Sequence, residues 1–386
     1  MADTVTPYVA TAAPVAYTPD VEKIEAYEAD LITDLTEVIL GISRKTHADG
    51  HHPLRGVHAK SHALLCGELR VLGNLPPELA QGLFAREGRY RAILRFSTTP
   101  GDILPDSVST PRGLAIKIIG VEGERLPDAG GTTQDLVMVN GPAFATSNGK
   151  AFLGNLKLLA TTTDRVEGVK VAVSKVLQGT EKVIESFGGT SGAIRGLGGE
   201  PARHPLGETY YTQVPLRYGD YIAKVSVAPA SDELRDLTGT RLDIDKHPYA
   251  IREAMIDYFA ANGGTWDLRV QLCTDLDTMP VEDAAKVWPE DQSPFVTVAR
   301  LHVPPQTAWS EARSAAVDDA MSFSPWHGIA AHRPLGSIMR LRKQVYEASA
   351  AFRAQYTGHA IHEPTQLPAV FDEGGPADDG TDVFYP

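Results

Sequence analysis

The feature that most constrains the fold of this 386-residue chain is a set of short apolar runs separated by turn residues. Four runs precede residue 150, and four more follow residue 207: HALLCGELRVLG, YRAILRFST, GLAIKIIG, DLVMVN, ETYYTQVPL, YIAKVSVAP, TWDLRVQLC and FVTVARLHV. Runs of this length predict β-strands. Helical segments interrupt or follow the strands instead of alternating with them, which favours an α+β fold with an antiparallel sheet. Strands that are apolar at most positions are typical of a barrel with helices against its outside.

The remaining segments predict the organisation of the chain. Residues 1–19 are predicted to form a flexible arm, and residues 20–44 a helix with Asp20 as its N-cap. Helical patterns return at 150–161, 166–187 and 309–358, and the Gly-rich stretch 188–207 predicts a loop. We therefore divide the chain into an arm and helix (1–50), a barrel domain (51–360) with an insert at about 153–215, and an irregular tail (361–386).

Charge and composition exclude several classes of protein. The formal net charge of −13 argues against binding to nucleic acid or to an anionic membrane, because both require a cationic surface. Two cysteines cannot form a disulfide scaffold. No run approaches the roughly 18 apolar residues of a membrane span, and the N-terminus makes a poor signal peptide. A cytoplasmic location is the default expectation.

Six short motifs follow one another in a characteristic order. They are RGVHAK at 55–60, RFST at 95–98, PRGLAIK at 111–117, DLV at 135–137 followed by NGPAF at 140–144, KVWP at 286–289, and Arg342-x-x-x-Tyr346 with Arg353 seven positions later. In this order and spacing they resemble the catalase family, and in particular its small catalase-related haem proteins. The resemblance implies an antiparallel eight-stranded β-barrel of the catalase type with surrounding helices, lacking the C-terminal flavodoxin-like domain, and haem b as cofactor.

On the proximal side, the resemblance implies that Tyr346 is the iron ligand. Tyrosinate is the axial ligand associated with catalases, and its ionisation requires help from iron and a nearby cation. Arg342 and Tyr346 lie one helical turn apart and can form that pair. The alternatives are an amphipathic helix with a surface arginine and a half-buried tyrosine, or His327 as the axial ligand.

On the distal side, the resemblance assigns the peroxide-facing imidazole to His58, with Ser97 orienting its ring. A histidine can take a proton from one peroxide oxygen and return it to the other. Asn140 is the local candidate for an amide that holds the peroxide. An ungapped alignment, however, places Asn140 on the second asparagine of the family motif and Val139 on the first, which is the catalytic one.

Other residues are assigned to the cofactor by the same resemblance. Arg55, Arg95 and Arg353 match arginines that pair with haem propionates or support the proximal side, for which the planar fork of guanidinium donors is suited. Phe152 matches a phenylalanine that lies against the porphyrin plane, and Val57 is a further cofactor-binding candidate. The alternative is a core position for Phe152 and surface salt bridges for the arginines. His51 and His52 are expected in an exposed loop, and the KVWP segment is given no catalytic role.

The resulting functional hypothesis is a haem-dependent hydroperoxidase that acts on hydrogen peroxide or an organic hydroperoxide and leans towards peroxidase activity. One alternative is a specialised haem enzyme that oxidises or rearranges a single organic substrate, such as a fatty-acid hydroperoxide. The second alternative is a haem-binding protein without catalysis. Partners are expected to be peroxide and an organic substrate, and the sequence leaves homo-oligomerisation and nicotinamide binding open.

Overall fold

The computed structural model describes residues 12–162 and 199–372. The α-helices are α1 (Glu28–Gly50), α2 (Gly149–Thr162), α3 (Asp232–Arg235), α4 (Ala250–Phe259), α5 (Glu311–Ser314) and α6 (Ser337–Thr357). The strands are β1 (Lys60–Val71), β2 (Gly88–Thr98), β3 (Arg112–Ile119), β4 (Thr133–Val139), β5 (Tyr210–Tyr211), β6 (Leu216–Tyr218), β7 (Tyr221–Pro229), β8 (Gly264–Leu272) and β9 (Val296–Val303).

The strands form one antiparallel sheet that closes on itself. Its order is β5-β4-β3-β2-β1-β9-β8-β7-β6, and β5 also pairs with β7. This additional pairing joins the two ends, so eight strands complete a barrel and β6 is a short extra strand beside β7. The predicted eight-stranded antiparallel barrel with surrounding helices is confirmed.

Side chains alternate between the two faces of each strand, so the barrel has an apolar interior and a second, outward face. Phe96, Leu114, Met138, Tyr210 and Leu268 belong to the main buried core. Their neighbours along the strands face outwards, and cross-strand pairing aligns them in one continuous row. We call this the outer row: it consists of Ser61, Ser97, Gly113, Val139, Tyr211, Ser226 and Arg269.

Three helices pack against one another through a separate apolar cluster. α1 contributes Leu31, Leu35, Ile39 and Ile42; α2 contributes Leu153 and Leu156; and α6 contributes Leu341 and Val345. Val57 and Phe152 pack against this cluster while remaining partly exposed. The cluster therefore connects α6 to the segment that carries His58. No helix in residues 12–162 and 199–372 is both long and apolar enough to cross a membrane.

The start of the first helix was predicted wrongly. α1 begins at Glu28, and Asp20 lies in a short 3-10 turn instead of capping the helix. The preceding residues, predicted as flexible, are held by the barrel: Val15 N–H donates to Cys273 and Tyr17 N–H donates to Asp220. These tertiary contacts override the helical periodicity of the sequence. The helix predicted at 166–187 and residues 188–198 of the predicted loop lie outside the described residues, and the proposed domain boundaries stay a prediction.

Candidate active site

His58 lies between α1 and β1 with its ring against strand β3. The residue has a positive φ of 52°, which turns the side chain back onto the barrel. A Cβ atom on Gly113 would lie only 2.6 Å from Nδ1 of His58, so the ring occupies space that any other residue would fill. Ser97 Oγ lies 3.3 Å from the same nitrogen. Gly113 and Ser97 are adjacent members of the outer row and together fix the imidazole.

The surroundings of His58 keep its imidazole neutral. Burial, followed by the positive charges of Arg95 and Arg342, lowers its pKa from 6.5 to about 3. Arg95 also donates from Nη2 to the backbone oxygen of His58 at 2.9 Å, which holds the loop in place. With this pKa the imidazole is neutral at any pH above about 4. His58 therefore has the protonation state of a general base.

The side chain next to His58 on the outer row is Val139, because Val139 pairs directly with Gly113. Asn140 follows Val139, and its amide is engaged elsewhere. Nδ2 of Asn140 donates to Glu200 at 2.9 Å and to Glu208 at 3.0 Å, and Oδ1 accepts from the backbone N–H of Arg112. The structure thus brings His58 and Ser97 together with an apolar residue and directs the amide of Asn140 into a separate polar cluster.

Tyr346 lies on α6 with Arg342 one turn before it. Arg342 Nη2 donates to the phenolic oxygen of Tyr346 at 2.6 Å, the pairing expected from the i, i+4 spacing. Both residues are half-buried. Because the charge of Arg342 lowers the pKa of His58, this face of α6 lies near the imidazole. Val57, which precedes His58, packs against the apolar cluster to which Leu341 and Val345 of α6 belong. Tyr346, the predicted iron ligand, and His58, the predicted peroxide-facing imidazole, are therefore in one region of the molecule.

Arg55, Arg95 and Arg353 converge, as predicted, but on a residue that the sequence did not single out. Asp318 Oδ1 accepts from Arg95 Nε at 2.7 Å and from Arg55 Nη1 at 3.1 Å. Arg353 Nη1 donates to the backbone oxygen of Asp318 at 2.6 Å. Burial opposes ionisation of Asp318, but the charges of Arg95 and Arg55 outweigh it and hold its pKa at about 2. We call these four residues the arginine cluster.

The arginine cluster carries more positive than negative charge. Burial, and then the charge of Arg95, lowers the pKa of Arg353 to about 10, and burial also lowers the pKa of Arg55. Arg353 Nε is buried and has no hydrogen-bond partner among the described residues. Asp319, the next carboxylate, pairs with His52. A buried, unpaired guanidinium N–H is a site for a further carboxylate, and a haem propionate would meet that requirement.

Two small cavities of the described residues, one near Asp106 and Ile251 and the other near Gln134 and Met339, are not lined by His58 or Tyr346. Phe152 packs edge-to-face against Phe144, with ring centroids 5.0 Å apart.

A second buried group of charges lies on the same half of the barrel. Lys117 Nζ donates to Asp135 at 2.8 Å and to Glu363 at 2.6 Å, and His327 Nδ1 lies 3.1 Å from both carboxylates. We call these four residues the lysine cluster. Burial opposes protonation of His327, but hydrogen bonds to Asp135 and Glu363 outweigh it and raise its pKa to about 9. Nδ1 of His327 is held by the two carboxylates, and the Lys117 ammonium lies where these carboxylates would otherwise hold a metal ion.

Comparisons with solved structures agree on the fold. A fungal catalase crystal structure at 1.9 Å matches with a TM-score of 0.55 and 17% identity, over 98% of this chain and 75% of that chain. Catalase A from Saccharomyces cerevisiae matches with a TM-score of 0.56 and 17% identity, over 98% and 78% of the two chains. The chain has the catalase fold. No protein-family model and no curated protein matches the sequence.

Proposed function

We propose that this protein is a haem-dependent hydroperoxidase that acts on hydrogen peroxide or an organic hydroperoxide. The observation that carries the proposal is the neutral imidazole of His58, fixed by Ser97 and Gly113, in the same region as the Arg342–Tyr346 pair. A proton acceptor opposite an arginine-bonded phenol is an arrangement suited to peroxide chemistry at a haem iron. The catalase fold agrees with this function.

The residues that would hold the haem fit its chemistry. Tyr346 would bind the iron, and Arg342 would stabilise its phenolate through the 2.6 Å hydrogen bond. The arginine cluster would bind the propionates, using the unpaired Nε of Arg353. Ferric haem, when bound, supplies the electrons with which the peroxide O–O bond is cleaved.

His58 would move the peroxide proton. Its neutral imidazole accepts the proton from one peroxide oxygen and donates it to the other as that oxygen departs. Ser97, at the opposite ring nitrogen, fixes the orientation of the ring. We expect His58→Gln to lower turnover of hydrogen peroxide by about 100-fold or more. His62→Gln is the matched control, because His62 is also buried but bonds to Thr98, and it should retain turnover.

Val139 would favour peroxidase activity over catalase activity. No amide from this position is available to donate to a developing negative oxygen beside His58. We expect wild-type protein to oxidise organic reductants and to release oxygen slowly. Val139→Asn should increase oxygen release about tenfold, whereas Val137→Asn, two residues earlier on the same strand, should not. Rapid oxygen release by the wild type, without oxidation of organic reductants, would contradict the proposal.

The second candidate function is a specialised haem enzyme acting on one organic substrate. It is favoured by the outer row next to His58, where Val139 is followed by the partly exposed Tyr211. This surface could contact the apolar body of a substrate. Turnover of lipid hydroperoxides at rates far above those for hydrogen peroxide would favour it, and absence of both activities in haem-loaded protein would leave a non-catalytic haem protein.

A further inference from the structure

Arg342, which donates to Tyr346, has a second partner on its own helix. Its Nη1 donates to the sulfur of Met339, one turn earlier on α6, at 3.7 Å, while its Nη2 donates to the phenolic oxygen of Tyr346 at 2.6 Å. Residues three and four positions apart lie on the same face of a helix, so these three side chains form a continuous row. The guanidinium group is therefore held between a thioether and a phenol.

Met339 is itself fixed by its surroundings. The residue is only 3% exposed and belongs to an apolar cluster with Val214 and Ala284. Its backbone oxygen accepts a hydrogen bond from Nε1 of Trp326 at 2.7 Å. A methionine side chain has three rotatable bonds, so packing is needed to keep its sulfur in one place. Burial in this cluster therefore gives Arg342 an acceptor at a fixed position.

The partners of Arg342 carry no charge, in contrast to those of Arg340 two positions earlier. Arg340 forms ion pairs with three carboxylates, those of Glu22, Glu28 and Glu282. Within residues 12–162 and 199–372, no carboxylate forms an ion pair with Arg342. A thioether is a weak acceptor without charge, so it orients a guanidinium group and does not neutralise it. The positive charge of Arg342 therefore remains available to the phenolic oxygen.

We propose that Met339 is a positioning residue that holds Arg342 against Tyr346 through a neutral sulfur acceptor. A carboxylate at this position would attract the guanidinium group and cancel part of its charge. An aliphatic side chain would leave Nη1 of Arg342 without this partner. The hold on Arg342 depends on the protein alone, whereas its effect on iron rests on the proposed function: a cationic Arg342 withdraws electron density from the phenolate that would bind the iron.

NMR of the full-length protein with isotope-labelled arginine, without added haem, tests the hold on Arg342. Met339→Leu keeps the volume and removes the acceptor, so the Arg342 guanidinium protons should exchange with solvent about threefold faster. Met339→Gln, whose side-chain oxygen accepts the same bond, should restore the wild-type rate. Met279→Leu is the matched control, because the Met279 sulfur accepts from the backbone N–H of Thr274, outside this site. Unchanged exchange in Met339→Leu, or exchange no slower in Met339→Gln than in Met339→Leu, overturns the proposal.

The reduction potential of the haem-loaded protein tests the effect on iron and separates this proposal from the proposed function. Met339→Glu should lower the potential most and Met339→Leu less, and Met339→Gln should match the wild type. A role in packing alone predicts that Met339→Leu stays closest to the wild type, because Leu fits an apolar cluster and Gln does not; that order would overturn the proposal. If the wild type takes up no haem but Met339→Leu still speeds exchange at Arg342, the hydroperoxidase function fails and the positioning role stands.

Discussion

The lysine cluster and the arginine cluster both bury charges against the outside of the barrel, yet their charges balance differently. In the lysine cluster, Lys117 and a protonated His327 face Asp135 and Glu363, so two cations meet two carboxylates. In the arginine cluster, three guanidinium groups surround one carboxylate. Each carboxylate of the first group is held directly by two cations, whereas in the second group three guanidinium groups share one carboxylate, with Asp319 near Arg55 and Arg353.

This difference distinguishes a structural role from a binding role. The lysine cluster ties two distant segments to the barrel, because Glu363 and His327 both reach strands β3 and β4 through it. Burying like charges without compensation is unfavourable, so an uncompensated group is maintained only where something else is gained. Under the proposed function, the arginine cluster would bind an anionic group of the cofactor through the unpaired Nε of Arg353.

The largest expected effect is the loss of folding stability when Lys117 is replaced. Lys117→Met leaves Asp135 and Glu363 buried without their main cation, so we expect the free energy of unfolding to fall by about 3–5 kcal/mol in urea denaturation. Lys343→Met is the matched control, because Lys343 pairs with Asp128 on the surface, and it should cost less than about 1 kcal/mol. Equal costs for both variants would show that the lysine cluster is not a structural tie.

A smaller effect, on haem affinity, is expected when an arginine of the arginine cluster is replaced. Arg353→Met should weaken haem binding about tenfold or more, equivalent to about 1.4 kcal/mol, because a propionate partner is lost. Arg313→Met is the control: Arg313 is equally buried and also donates to backbone oxygens, including that of Leu64, but it lies outside the cluster. Haem affinity can be measured by titration followed by absorption. Equal affinity of the two variants for haem would contradict this account.

The smallest expected effect concerns two histidines whose pKa values move in opposite directions. The pKa of His327 is raised to about 9, so its contribution to stability is complete below pH 6.5 and is lost as pH rises through 9. The pKa of His58 is lowered to about 3, so the folded state binds fewer protons than the unfolded state between pH 3 and 6.5. Stability therefore falls as pH decreases through that range.

Urea denaturation across pH can separate the two contributions. His327→Asn should reduce the loss of stability between pH 7 and 9.5 by about 1 kcal/mol, and His58→Asn should reduce the loss between pH 7 and 5 by a similar amount. If each variant changed the slope on the other side of neutrality, the assigned protonation states would be wrong.

Local patterns in the sequence predicted the strands and an α+β fold suited to a barrel, whereas the eight-stranded catalase form and the candidate site residues came from the resemblance. The apolar runs gave β1 to β4 and β7 to β9, because strand periodicity is a local property. The Arg342–Tyr346 hydrogen bond was also predictable, because residues four positions apart lie on the same face of a helix. The roles of His58 and Tyr346 came from the motif order, and they stay predictions.

Long-range pairing was beyond local patterns. Asp318 forms hydrogen bonds with Arg55 and Arg95, which are more than 200 residues away in the sequence, and no motif around Asp318 predicts these contacts. The start of α1 was misplaced because contacts of Val15 and Tyr17 with the barrel override helical periodicity. When two residues come together only because the whole chain folds, no local sequence pattern predicts their contact.

The most direct test of the account is the absorption spectrum of the haem-loaded protein, compared between the wild type and Tyr346→Phe. We predict a five-coordinate ferric tyrosinate spectrum for the wild type and its loss in Tyr346→Phe. His327→Asn should retain the wild-type spectrum, because His327 is held by Asp135 and Glu363. A tyrosinate spectrum that persists in Tyr346→Phe, or a wild-type protein that takes up no haem, would contradict the central claim.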